Sequence, residues 1–251
     1  MTITIIGYGQ FGKLLAKLLS PYLEKIYLVS SKQLTNLPKG CQQMSLEQAV
    51  NKSQLIIPSI PMQNFDLMLE KIAPLLQPDT IIVDVSSVKV YPIEQMQRLL
   101  PSNVSILATH PLFGPISINE QGLVGQQIVL CPTRINLPQY QMIKDFLTQK
   151  LGLVTIEMSP AEHDQEMAWI HGLSFFVGRG LTQMSLPKLK LNTGYFKKLI
   201  ELSETEKTHS WELFETVQIF NPYAKKVRQD FLDILSKLNQ HVLKSEKNDR
   251  D

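Results

Sequence analysis

The chain has 251 residues, 43% hydrophobic and 19% charged, which is long enough for one large domain or two modest ones with a buried core. Its 25 Lys and Arg against 23 Asp and Glu give a net charge of +2, which excludes disorder as the main state and gives no field that selects nucleic acid. Two cysteines form no disulfide framework, and the most apolar stretch, residues 168–186, is interrupted by charge and glycine, so we expect a cytoplasmic protein without membrane or nucleic-acid partners.

The first half of the chain alternates short β-branched runs with segments of helical spacing, a pattern typical of a parallel sheet with helices on both faces. The predicted strands are Thr2–Ile6, Ile26–Val29, Leu55–Ile57, Ile81–Val85, Val104–Leu107 and Gln127–Leu130. The clearest predicted helices between them are Phe11–Leu19, Phe65–Leu76 and Ile93–Leu100.

After a last β-rich stretch at Leu153–Glu157 the pattern becomes helical. Ser159, Pro160 and Glu162 form a helix-start signature, with Ser159 as the N-cap. The predicted helices that follow are Ala161–Met184, Tyr195–Leu202, Trp211–Phe220 and Tyr223–Leu243. We therefore predict an α/β dinucleotide-binding domain over residues 1–157 and an all-helical domain over residues 158–251.

A glycine-rich loop directly follows the first predicted strand and opens the first predicted helix. Its sequence, Gly7-Tyr8-Gly9-Gln10-Phe11-Gly12, fits the G-x-G-x-x-G pattern of Rossmann-like folds. The first glycine permits the tight turn, the second lets the backbone approach a pyrophosphate, and the third lets helix and strand pack closely. We expect the cofactor at the N–H groups of the helix start, bound by Gly7, Gly9, Gln10, Phe11 and Gly12; a turn without a ligand is the alternative.

The end of the second predicted strand bears on the choice of cofactor. NAD enzymes usually carry an acidic residue there for the ribose 2′-hydroxyl, but this chain has Ser30, Ser31 and Lys32. Two hydroxyls and an ammonium suit a 2′-phosphate, which favours NADP and leaves NAD open. The alternative is a loop whose Lys32 is merely solvated.

Two further segments follow predicted strands at the edge of the sheet where open α/β folds bind ligands. Ser59-Ile60-Pro61 would place a backbone turn against the cofactor. The same three residues could equally form an ordinary proline turn that contacts no ligand. Ser86 and Ser87 follow the strand ending at Val85, where a hydroxyl either orients a substrate oxygen or caps a helix.

His110 lies just after the predicted strand Val104–Leu107, separated from it only by Ala108 and Thr109. Pro111 follows His110 and restrains its backbone. An imidazole titrates near neutral pH, so a histidine at a rigid strand end is suited to acid–base chemistry. The alternative is a histidine that only binds a neighbouring carbonyl group.

Taken together, the motifs GYGQFG, SIP, VDVSSVK, THPLFGP and AEHDQEMAWI, in that order, resemble the prephenate/arogenate dehydrogenase family of tyrosine biosynthesis. The resemblance implies oxidation of a cyclohexadienol at C4 by hydride transfer to NAD(P)+, with loss of the ring carboxylate as CO2. It implies that His110 is the base on the substrate 4-hydroxyl and that Ser87 binds the same hydroxyl and His110. The family's NADP-using members often carry Val-Ser-Arg after the second strand, and Val29-Ser30-Ser31-Lys32 is similar.

The chain departs from the family where an arginine of the second domain binds a substrate carboxylate. The corresponding stretch here carries Lys197 and Lys198, and Lys lacks the bidentate geometry of Arg. We expect Lys197, Lys198 or Arg179 to bind the anionic substrate, with a solvated helix face as the alternative. His163, in the family-like His-Asp pair, either lines this site or has a structural role.

The resemblance also suggests a homodimer formed through the helical domain, and no Cys, His or acidic spacing predicts a metal site. Two other functions stay open at this point. One is an NADP-dependent oxidoreductase with another substrate, which the missing arginine favours. The other is an NADP-binding sensor module without turnover.

Overall fold

The computed structural model describes residues 1–184, 186–187, 189–191 and 193–248, so the last three residues of the predicted second domain lie outside the described residues. The chain divides into two compact units, Met1–His163 and Asp164–Asp251. Among the described residues, no helix has the length and apolar character that crossing a membrane requires.

The first unit is built on an eight-stranded sheet with the order β3-β2-β1-β4-β5-β6-β7-β8. Neighbouring strands are parallel except β6 and β7, which pair antiparallel. The strands are β1 (Ile3–Ile6), β2 (Ile26–Val29), β3 (Cys41–Gln43), β4 (Leu55–Pro58), β5 (Ile81–Asp84), β6 (Ser105–Pro111), β7 (Gln127–Arg134) and β8 (Val154–Glu157).

Helices connect these strands. They are α1 (Gln10–Leu19), α2 (Leu46–Asn51), α3 (Phe65–Ile72), α4 (Val90–Leu99), α5 (Pro115–Gln121) and α6 (Leu137–Asp145), with short 3-10 turns at Met62–Asn64 and Ala73–Leu75 and a π-helical turn at Phe146–Lys150. β1, β4 and β5 are buried along their whole length, as expected of central strands covered on both faces.

The order of the strands places the ligand-binding edge of the sheet. The chain moves outward from β1 to β2 and β3, then returns to β4 on the other side of β1. Open α/β sheets bind ligands beyond the carboxyl ends of the strands at such a reversal. β1, β4, β5 and β6 run parallel, so the segments that follow them emerge at this same edge.

The sheet differs from the sequence prediction in three respects. β3 was not predicted, because Cys-Gln-Gln contains no apolar run. β6 extends to Pro111, so His110 lies within the strand and not after it. The predicted strand at Gln127–Leu130 is confirmed but pairs antiparallel with β6, which a periodicity analysis does not detect.

Helices are the only regular secondary structure among the described residues of the second unit. Its elements are the end of α7 (Pro160–Met167), a π-helical segment at Ala168–Leu173, α8 (Ser174–Gln183), α9 (Gly194–Lys207), α10 (Trp211–Phe220) and α11 (Ala224–Asn248). The single helix predicted over Ala161–Met184 is thus interrupted by the π-helical segment. The N-terminal signature of α7 is confirmed, since Ser159 N donates to Glu162 Oε2 at 2.9 Å and Glu162 N donates to Ser159 Oγ at 3.2 Å.

Candidate active site

The glycine loop after β1 is closed tightly by its own backbone and by the segment after β4. Gly7 has a φ of +100°, a conformation that side chains rarely adopt, and a Cβ there would lie 2.2 Å from the Ser59 carbonyl oxygen. A Cβ on Gly12 would lie 2.1 Å from the Gly7 carbonyl oxygen. Both glycines are therefore required by the protein's own packing.

Gly9 is different, because neither packing nor backbone conformation requires a glycine there. A Cβ on Gly9 would meet nothing within 4 Å, and its φ of −73° is ordinary for any residue. Gly9 is the N-cap of α1, and the first turn of α1 carries no acidic side chain. The open space therefore lies at a helix N-terminus, where N–H groups favour an anion and a side chain would stand in its way.

The Ser59-Ile60-Pro61 segment lies directly against this loop. Ser59 N donates to the Ile6 carbonyl oxygen at 2.7 Å, which continues the pairing of β4 with β1. A Cβ on Gly7 would also lie 2.8 Å from Ile60 Cγ2, so the Ile60 side chain forms one wall of the loop. The sequence alone left this segment undecided between a turn and a cofactor contact.

The segment after β2 presents Ser31 and Lys32 to solvent, with Ser30 half-buried. Lys32 N donates to Ser30 Oγ at 3.1 Å, so the first hydroxyl supports the turn. No acidic residue occupies this strand end, and the segment offers hydroxyls and an ammonium near the site where the fold places the adenosine ribose.

A buried ion pair closes the segment between β5 and α4. Lys89 and Asp84 pair through Lys89 Nζ and Asp84 Oδ2, with side-chain exposures of 0% and 1%. Lys89 Nζ also donates to the Thr109 carbonyl oxygen at 2.5 Å, and Thr109 Oγ1 donates to the Asp84 carbonyl oxygen at 2.7 Å. We call Asp84, Lys89 and Thr109 the lysine clasp; it ties the Ser86–Val88 turn to β6 next to His110.

The two serines in that turn have different surroundings. Ser86 serves the turn itself, since its N–H donates to Asp84 Oδ1 at 3.0 Å and its hydroxyl donates to the Val88 carbonyl oxygen at 2.8 Å. Ser87 is half-buried at the same edge of the sheet. The sequence allowed either serine to orient a substrate oxygen or to cap a helix. The bonds of Ser86 give it a structural role within the turn.

His110 forms a pair with His163. Its Nδ1 lies 2.9 Å from His163 Nε2, and the two ring planes are inclined at 72°. Both residues are buried, His110 at 3% exposure and His163 at 0%. Such a contact holds one proton between the rings, so the tautomer of one histidine determines that of the other. When His110 donates through Nδ1, its Nε2 is a hydrogen-bond acceptor and a base.

The motif that contains His110 also contacts the glycine helix. The ring of Phe113 lies 6.4 Å from the ring of Phe11 on α1. In the sequence, Phe11 stands out by the glycine pattern and by the helical spacing of Phe11–Leu19, and neither predicts its partner. The aromatic contact places the end of the His110 motif beside the helix that the loop opens.

The three basic candidates of the second unit have unlike surroundings. Arg179 is 8% exposed and forms an ion pair with Glu206 at 2.7 Å; its guanidinium lies 4.6 Å from the centre of the Trp211 ring. Lys197 is largely exposed and lies 3.7 Å from Glu201, while Lys198 is exposed. Arg179 therefore has a strong internal partner, whereas the two lysines face solvent.

Among the described residues, no group of three or more His, Cys, Asp or Glu side chains is arranged to hold a metal ion. What the edge of the sheet does offer is a helix N-terminus with open space at Gly9 and a buried histidine pair. These features are those of a dinucleotide-binding domain of the Rossmann type, with a buried histidine pair at the edge of the sheet where such folds bind ligands.

Comparison with known families makes the assignment specific. The model "Prephenate dehydrogenase, nucleotide-binding domain" matches residues 24–156, and the model "TYRAAT1-like, C-terminal domain" matches residues 180–251. The first match covers more than half of the chain, so the chain belongs to the prephenate dehydrogenase family. The glycine loop lies before the matched range, and its assignment rests on its own geometry.

Individual relatives agree with the family. A probable arogenate/prephenate dehydrogenase of Methanocaldococcus jannaschii is 23% identical over 96% of this chain and 57% of its own length. Arogenate dehydrogenase 1, chloroplastic, of Arabidopsis thaliana is 26% identical over 92% of this chain and 37% of its own length. The chain thus spans less than two thirds of these curated relatives.

Solved structures share the fold. Synechocystis arogenate dehydrogenase matches with a TM-score of 0.72 and 24% identity over 98% of this chain and 93% of that one. Prephenate dehydrogenase from A. aeolicus, in complex with hydroxyphenyl propionate and NAD+, matches with a TM-score of 0.72 and 19% identity over 98% of this chain and 92% of that one. At these identities the likeness establishes the fold.

Proposed function

We propose that this chain oxidatively decarboxylates prephenate or arogenate with a nicotinamide dinucleotide as the oxidant. The observation that carries the proposal is the buried imidazole of His110, fixed by His163 at the same edge of the sheet as the glycine loop. The family supports the reaction class, and the missing acidic residue after β2 supports NADP over NAD.

The residues of the first unit fit a dinucleotide. The space at Gly9 admits a pyrophosphate against the N–H groups that begin α1, with Gln10 and Phe11 in the first turn. Ile60 and Pro61 would cover the nucleotide from the adjacent strand end, and the Ser30–Lys32 segment would bind the 2′-phosphate. When bound, the nicotinamide accepts the hydride that leaves C4 of the substrate.

His110 is the base in this scheme. Its Nε2 accepts the hydrogen of the substrate 4-hydroxyl as that oxygen becomes a carbonyl, and electron density building on the oxygen helps the hydride leave C4. His110 then carries a positive charge and continues to donate through Nδ1 to His163. His163 is therefore a positioning residue that fixes the tautomer in which Nε2 of His110 is the acceptor.

Ser87 is the second group that we assign to the substrate hydroxyl. It lies in the turn that the lysine clasp ties to β6, so its position relative to His110 depends on buried contacts and not on a flexible loop. A hydroxyl both donates and accepts, so Ser87 can bind the same oxygen before and after oxidation.

The substrate carboxylate requires a cation. We assign it to Lys197 and Lys198, which face solvent on α9, ahead of Arg179, whose guanidinium is already paired with Glu206. An ammonium binds a carboxylate as a point charge without the two parallel hydrogen bonds of Arg. We expect this recognition to be less selective for carboxylate orientation than an arginine would be.

A homodimer is the assembly that we propose. Leu235, Leu238 and Val242 form an apolar stripe along α11 and are 45%, 57% and 53% exposed. Their spacing, i, i+3 and i+7, is that of a helix seam that a second copy would cover. Light scattering should give twice the chain mass for the wild type and the chain mass for Leu238→Glu; a monomeric wild type would overturn the assembly.

The test of the reaction is a set of absorbance assays for the reduced nicotinamide, pairing NADP+ or NAD+ with prephenate or arogenate. We expect turnover with one acid and faster turnover with NADP+, and its loss in His110→Asn. Binding of nucleotide without oxidation of either acid would contradict the proposal and favour the sensor module. Oxidation of a different hydroxy acid would favour the related oxidoreductase, which is the second candidate because the Gly194–Glu201 stretch carries lysines where the family carries an arginine.

A further inference from the structure

The Ser30–Leu34 segment after β2 has no helix or strand of its own to hold it in place. Within the segment, Lys32 N donates to Ser30 Oγ at 3.1 Å. Ser31 and Lys32 are exposed, so packing of their side chains does not fix the backbone. A segment that selects a cofactor by its side chains needs some other restraint.

The side-chain amide of Gln43 supplies that restraint. Its Oε1 accepts a hydrogen bond from Leu34 N at 2.9 Å. Its Nε2 donates to the Lys32 carbonyl oxygen at 2.8 Å and to the Ser30 carbonyl oxygen at 3.4 Å. One amide therefore holds three backbone groups over five residues.

The sheet explains how a residue so far along the chain reaches this segment. Gln43 ends β3, whose register with β2 pairs Leu28 with Gln43. β3 is an edge strand of three residues, and its carboxyl end lies beside the end of β2. The half-buried Gln43 side chain extends from there under the segment, whereas the neighbouring Gln42 is exposed.

The pattern of bonds requires an amide. Gln has one acceptor and two donors at its end, and all three functions are used here. Glu cannot donate to the two carbonyl oxygens, and Met of nearly the same length makes none of the three bonds. This set of bonds has no role in pairing β3 with β2, because it is directed to the segment beyond the strand.

We propose that Gln43 is a specificity-determining positioning residue, which holds the Ser30–Lys32 backbone so that its side chains are preorganised for a ribose 2′-phosphate. The inference rests on the proposed use of NADP. Without Gln43 the segment must be ordered when the phosphate binds, and that ordering reduces affinity for the phosphorylated cofactor. NAD+ has no 2′-phosphate and gains little from the ordered segment.

The experiment is a calorimetric or fluorescence titration of NADP+ and NAD+ into the wild type, Gln43→Met and Gln43→Glu, without substrate. Gln42→Met is the matched control on the same strand, and Lys32→Met reports direct loss of the phosphate contact. Hydrogen exchange over residues 30–36 of the nucleotide-free protein measures the order of the segment. Thermal unfolding of each variant shows whether it is folded.

We expect Gln43→Met to weaken NADP+ binding about tenfold and NAD+ binding less than about twofold, with faster exchange over residues 30–36. Gln43→Glu should show the same loss of preference, and Gln42→Met should behave as the wild type. An unchanged ratio of NADP+ to NAD+ affinity in both Gln43 variants would overturn the inference alone. A wild type that binds NAD+ as tightly as NADP+ would overturn the inference together with the cofactor preference, while leaving the reaction untouched.

Discussion

Replacing Lys89 by Met should destabilise the first unit strongly. Lys89 and Asp84 are both buried, and the substitution leaves the Asp84 carboxylate with the Ser86 N–H as a donor but without its counter-charge. The Thr109 carbonyl oxygen also loses the donor at 2.5 Å. Breaking one side of a buried ion pair typically costs about 3–5 kcal/mol, a large part of the roughly 5–15 kcal/mol stability of a domain.

Urea unfolding followed by far-UV circular dichroism measures this loss. Lys144→Met is the matched control, because Lys144 pairs with Glu157 on the surface at 2.6 Å and such pairs contribute about 0–1 kcal/mol. The double variant Asp84→Asn/Lys89→Met should recover part of the loss, since no unpaired charge is left buried. A loss below about 1 kcal/mol for Lys89→Met would refute the view that the clasp holds the turn against β6.

The other predictions concern the glycine loop, the histidine pair and a surface carboxylate. Gly9→Ala should keep wild-type stability and lose nucleotide affinity in a titration, whereas Gly12→Ala should lower the melting temperature, because its Cβ would strike backbone; equal stability of the two would contradict this. His163→Leu should lower kcat about tenfold or more with little change in KM, and an unchanged kcat would remove its positioning role. The hydrogen bond from Lys144 lowers the pKa of Glu157, so Glu157→Gln should be less stable than the wild type near pH 7. Protonation of Glu157 removes the same interaction, so the two proteins should have equal free energies of unfolding below the lowered pKa. A difference in stability that grows in acid would contradict this pH dependence.

Periodicity and turn chemistry were sufficient to predict the strands that carry the site. β1, β4 and β5 are buried along their whole length and consist mostly of Ile, Leu and Val, so both their existence and their parallel arrangement could be inferred. β3 could not, because an edge strand of Cys-Gln-Gln needs only backbone pairing with β2 and no apolar face. The same strand carries Gln43, so the restraint on the cofactor segment was also missed.

Long-range contacts account for the rest of what the sequence did not reveal. His110 and His163 are separated by 53 residues. The sequence motifs identify both histidines as candidates, but they do not predict the hydrogen bond between them. In the sequence, Lys89 is only the last residue of the VDVSSVK motif. It can be buried because it pairs with Asp84 and donates to the carbonyl oxygen of Thr109, 20 residues further along the chain. The candidate residues were therefore predictable by type, while their partners required the fold.

Oxidative decarboxylation produces CO2 and a reduced nicotinamide in a fixed ratio, so the stoichiometry of the reaction is the decisive measurement. The wild type is given the better substrate and excess nucleotide, and the reduced nicotinamide and the CO2 are counted together, with His110→Asn in parallel. We expect one CO2 for each nicotinamide reduced in the wild type and neither product above background in the variant. Nicotinamide reduced without CO2, or full activity in His110→Asn, would contradict it.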